Sequence, residues 1–93
     1  MSIFAVARLT DIRSCGAFIA GTKTNNVLVN MLPICVVGDL DDHGGIAITG
    51  SATVFANGVP ICRVTDINDV CRFMTPHHYA QPLCCGSIDV FSV

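Results

Sequence analysis

The stretch at residues 27–39, VLVNMLPICVVGD, is written again at residues 54–66, VFANGVPICRVTD, without a gap. Val27 stands opposite Val54 and Asp39 opposite Asp66, a constant offset of 27 positions. Valine, asparagine, Pro-Ile-Cys and the closing aspartate are identical in both copies. The chain ends carry the missing halves of a third copy. Residues 5–11, AVARLTD, match the second half of the unit, and residues 86–91, GSIDVF, match its beginning at 50–55, GSATVF. A repeat restricts a chain more than any local propensity does, because each copy must adopt one structure and bury its apolar side against the others. The sequence therefore predicts a single domain over 1–93, built from three alike units, one of them split between the termini.

Each unit reads as a β-hairpin followed by a corner. Thr53-Val54-Phe55 suits a pleated surface, and Asn57-Gly58 suits a type I′ turn because both residues tolerate positive φ. Pro60 falls at a strand start, where a missing N–H is tolerated. Short strands are expected over 4–9, 18–20, 46–49 and 88–93, and no stretch keeps a helical period. The fold class predicted is all-β, with three hairpin repeats related by pseudo-three-fold symmetry.

Half of the 93 residues are hydrophobic (52%) and only 13% are charged. A core this small cannot absorb that much apolar surface, so part of it is expected to face a partner. No apolar run reaches the roughly 18 residues of a membrane span. The N-terminus lacks the basic region of a signal peptide. A net charge of −2 disfavours nucleic acid. Six cysteines made in a reducing cytosol point to metal ligation or free thiols rather than to a disulfide framework.

Asp11, Asp39 and Asp66 close the three units, and each is followed at nearly the same distance by a soft ligand: Cys15, His43 and Cys71. Equivalent positions of a three-fold arrangement converge near its axis, so these three side chains are expected to meet. The long third loop supplies His78, or alternatively His77, as a fourth ligand. A Cys2His2 set suits tetrahedral zinc. The corner aspartates are expected to accept backbone N–H bonds, and Cys35 and Cys62 to act as small core hydrophobes. Arg8 and Arg63 are expected to brace neighbouring units or face solvent, and Asp41-Asp42 to be a solvated loop. Cys84 and Cys85 fall in the long third loop; in a strand they would point to opposite faces, and one of them is the fallback ligand if both histidines miss.

Ala5-Val6-Ala7-Arg8, Pro33-Ile34-Cys35-Val36 and Pro60-Ile61-Cys62-Arg63, with Gly38-Asp39 and the strand Gly50-Ser51-Ala52-Thr53-Val54, resemble the signature of the PAAR-repeat proteins over nearly the whole chain. The resemblance implies a small cone with a metal near its apex. Its wide base would sit, one copy per trimer, on a trimeric β-helical spike of a type VI secretion system or a contractile phage tail. The tip would be made in the cytoplasm, delivered with the spike, and touch the target membrane only transiently. It would be structural and not an enzyme. The His-x-His pairs of related iron-bearing spikes are missing, which favours zinc over iron. Two other functions compete: a thiol enzyme pairing Cys71 with His77 or His78, and a small metal-carrier or redox domain.

Overall fold

The computed structural model describes residues 3–24, 26–73, 79–87 and 90–93. Among them the chain is all-β and has no helix. Among the described residues no helix is long and apolar enough to cross a membrane. Eight short strands pair antiparallel in twos. β1 (Phe4–Ala5) pairs with β8 (Phe91–Ser92), and β2 (Ile19–Gly21) with β5 (Leu40–Asp41). β3 (Leu28–Val29) pairs with β4 (Leu32–Pro33), and β6 (Phe55–Ala56) with β7 (Val59–Pro60).

The two complete hairpins share one turn. Asn57 and Gly58 have φ of 52° and 80°, as the type I′ turn requires. Asn30 and Met31 adopt the same conformation, at 52° and 68°, although Met31 has a Cβ. The corners also share one form. The N–H groups of Asp11, Asp39 and Asp66 donate to the carbonyls of Arg8, Val36 and Arg63 at 3.1, 3.1 and 3.0 Å. The residue before each aspartate, Thr10, Gly38 or Thr65, has φ of 77°, 99° or 86°, the third position of a type II turn. Each corner carboxylate then accepts, at 2.8 Å, the N–H of the residue three positions earlier. Arg8 and Arg63 fold back onto Asp11 and Asp66 with their guanidinium groups, so they lock their own corners before reaching a neighbour.

The strands are shorter than the sequence suggests, and Ile46 and Ala47 make single bridges where a strand was expected over 46–49. The cause is a change of partner after every two or three residues. Ile34 N–H bonds to Val27 within its own hairpin, but Cys35 N–H bonds to Ala7 and Val37 N–H to Pro60. No ladder can lengthen when successive donors serve different segments. What forms is a ring. Ala7 donates to Cys62, Cys62 to Cys35 and Cys35 to Ala7, at 3.0, 2.9 and 3.0 Å. A second ring runs from Leu9 to Pro33, Val37 to Pro60 and Val64 to Ala5, at 2.8, 2.9 and 2.8 Å.

The pleat sends consecutive residues of these segments to different places. Val6, Ile34 and Ile61 join Val29, Val36 and Ala56 in one buried cluster. Ala7, Cys35 and Cys62 join Ile19, Ala47 and Leu83 in another. Both cysteines are fully buried, as small core hydrophobes should be.

Candidate metal centre

Beyond the corners the chain makes two matching tight turns. In one, Arg13 N–H donates to Ala17 at 2.6 Å and Gly16 N–H to Arg13 at 2.9 Å. In the other, Asp41 N–H donates to Gly45 at 2.9 Å and Gly44 N–H to Asp41 at 3.1 Å. Cys15 and His43 occupy the same place in these turns, each directly before a glycine with positive φ. The third segment departs from this form. The Arg72–Asp69 ion pair and the Arg72 bond to the Gly44 carbonyl tie it to the His43 turn. The Arg72 guanidinium holds the Asp69 carboxyl well below the usual carboxylate range.

These elements bring Cys15, His43 and Cys71 together, their ligand atoms all within 4.8 Å of one another. Cys15 Sγ lies 3.6 Å from His43 Nδ1 and 4.0 Å from Cys71 Sγ. Tetrahedral zinc with ordinary bond lengths sets sulfur and nitrogen about 3.6 Å apart and two sulfurs about 3.8 Å apart. The donor set and two of its three edges therefore fit a metal ion. Cys71 is fully buried, and burial raises its thiol pKa against the lowering effect of an Asn68 hydrogen bond. An ion must displace that proton on binding. The fourth ligand expected from the sequence, His78 or His77, lies outside the described residues.

Behind the three ligands stands a polar group that the residue-by-residue reading missed. Arg13, Asp41 and Asn68 are 1%, 3% and 0% exposed. Asp41 corrects the expectation of a solvated loop. Its Oδ2 accepts from Arg13 Nε at 3.0 Å and Asn68 Nδ2 at 2.9 Å, and its Oδ1 from the N–H groups of His43 and Gly45 at 3.0 and 2.8 Å. Four donors compensate the desolvation of one carboxylate. Asp42 does stay exposed, accepting from Phe18 N–H at 2.8 Å. Asn68 Nδ2 also donates to Cys71 Sγ at 3.4 Å. Gly45 makes the packing possible, because a Cβ there would overlap the Asn68 amide and stand 2.7 Å from Asp41 Oδ2. A signal for this group was present: each member lies two residues past a corner aspartate.

Cys84 and Cys85 lie outside any strand, as their place in the long third loop implies, and their sulfurs stand 3.7 Å apart.

An open apolar hollow of about 550 Å³ is lined by Val27, Val29, Val54, Phe55, Val90 and Phe91, among others. None of its lining residues belongs to the buried polar group or to the Cys15, His43 and Cys71 cluster.

No protein-family profile matches the chain, and no curated protein matches it.

Proposed function

We propose that this chain is a structural tip: three alike segments folded round one pseudo-three-fold axis into a small cone, its point pinned by one zinc ion. Its broad end caps a trimeric β-helical spike of the PAAR-repeat kind, one copy per trimer. The spike belongs to a type VI secretion system or a contractile phage tail. The protein is made in the cytoplasm, carried out with the spike, and meets the target membrane only as the point passes through.

The observation that carries this reading is the closed cycle of backbone bonds through Ala7, Cys35 and Cys62. It joins the three repeat-related segments head to tail. Cys15, His43 and Cys71, each four or five positions past a corner aspartate, then arrive together from three segments. Zinc suits two thiolates with imidazole better than iron or a hard cation does. Bound there, it would tie loops together where the fold has too little volume for a hydrophobic core, a task for which structural zinc supplies about 10–16 kcal/mol in small peptides. The apolar hollow gives the broad end a surface that a spike's terminal side chains can fill.

The competing thiol-enzyme reading is disfavoured by Cys71, which is fully buried and has a raised pKa, whereas a nucleophile needs an accessible thiolate. Against the carrier reading stands the same burial, since a carrier must release its metal readily.

Elemental analysis of the purified chain tests the proposal. One zinc per chain is expected, with loss of the metal in Cys15→Ser and His43→Ala. Full metal content in both variants, or failure of the zinc-loaded chain to bind any trimeric β-helical spike, would overturn it.

A further inference from the structure

Two thiols take no part in the core or in the metal centre. Cys84 and Cys85 are both exposed, and their sulfurs are 3.7 Å apart. That separation matches the roughly 3.8 Å between two sulfurs bound to one tetrahedral ion at ordinary metal–sulfur length. The backbone beneath them is fixed. Cys84 N–H donates to Ile12 at 3.0 Å, Leu83 N–H to Asp66 at 2.9 Å, and Ser87 N–H to Val6 at 2.8 Å. Leu83 is 1% exposed and anchors the segment in the core. Little ordering is left for a ligand to impose.

Oxidation to a disulfide is the other fate open to neighbouring thiols, and geometry opposes it. Adjacent Cα atoms lie about 3.8 Å apart across a trans peptide. An unstrained disulfide wants at least about 4.4 Å, and a strained one is reduced readily. The pair is thus held as a dithiol, with both sulfurs able to reach one ion.

We propose that Cys84 and Cys85 form a surface dithiol chelate for a soft, thiophilic centre that takes two sulfurs at a bent angle, as trivalent arsenic does. Soft thiolate ligands select such centres over magnesium or calcium. With a monosubstituted arsenoxide, two arsenic–sulfur bonds form and the arsenic–oxygen bond breaks. The oxygen leaves as water with the two thiol protons, and arsenic stays trivalent.

The test uses the full chain, zinc-loaded as purified, treated with phenylarsine oxide and weighed by native mass spectrometry. One adduct per chain, at the mass of the arsenoxide less one water, is expected for the wild type. In the zinc-loaded chain the Cys15–Cys71 pair is taken up by the metal of the proposed function, and Cys35 and Cys62 are fully buried. Cys84→Ser and Cys85→Ser, both at exposed positions, should each lose the adduct while keeping the wild-type circular dichroism spectrum. An unmodified wild type, or an adduct that survives either of those substitutions, would overturn the proposal. The outcome is independent of any spike.

Discussion

Asn68 bridges the buried ion pair and a candidate metal ligand. Its amide links Asp41 to the Cys71 sulfur, so it fixes the direction from which that thiolate faces an ion. Partners of this kind typically change metal affinity by about 10–100-fold when removed. Asn68→Ala should weaken zinc binding by about that factor, read by competition with a chromophoric chelator, while leaving one zinc per chain at saturation. Arg13→Met probes stability instead. It leaves the Asp41 carboxylate buried without its cation, which costs about 3–5 kcal/mol, measurable as a lower urea midpoint. The thiols should also sort by burial. Cys35 and Cys62 are fully buried; a Cys62 hydrogen bond, then burial, hold the Cys35 thiol well above its ordinary pKa. Raising the pH to the ordinary thiol value of about 8.5 therefore creates little Cys35 thiolate. Iodoacetamide at that pH should label exposed Cys84 and, more slowly, exposed Cys85, whose thiol pKa the Cys84 hydrogen bond raises, and spare Cys35 and Cys62, as peptide mass mapping will show. Cys15, His43 and Cys71 could be picked out in the sequence because their chemistry is alike. Arg13, Asp41 and Asn68 could not be recognised one at a time. A cation, an anion and an amide each look like solvated loop residues until the fold closes over all three.

At the scale of elements, one corner is built with the residue its geometry favours and two are not. Gly38 has the positive φ of a type II turn at no steric cost, whereas Thr10 and Thr65 hold it with β-branched side chains. A non-glycine residue in that region costs on the order of 1–3 kcal/mol, and a glycine's extra unfolded-state entropy offsets roughly 0.5–1 of this. Thr65 is exposed, so its side chain contributes little packing. Thr65→Gly should therefore stabilise the chain by about 1 kcal/mol and raise Tm by about 4–8 °C in a domain of this size. An unchanged or lower Tm in differential scanning calorimetry would show that the corner is not strained. The hairpin turn at Asn57-Gly58 was legible because its chemistry is local. Strand lengths were not. They depend on which segment receives each N–H, and propensity carries no information about a partner distant in the chain.

For the whole molecule, part of the apolar excess in the composition recurs with the repeat. Leu28, Phe55 and Phe91 occupy matching places after the repeat offset is allowed for, and they are 56%, 54% and 53% exposed. Phe55 and Phe91 line the hollow. Three large apolar side chains left equally open by three segments are not required by the core, whose clusters close without them. They are what a symmetric partner can use, since each of its chains would then meet the same chemistry. Aromatic anchors packed in such pockets typically carry much of an interface's energy. Phe55→Glu places a charge in the hollow, whose lining includes none of Cys15, His43 and Cys71. It should weaken binding to a trimeric spike by at least about tenfold, with zinc content and Tm unchanged. Calorimetric titration should also give one chain per spike trimer for the wild type. If Phe55→Glu binds as tightly as the wild type while Cys15→Ser loses both metal and binding, the spike is held at the metal-bearing end, and the hollow is not the docking face.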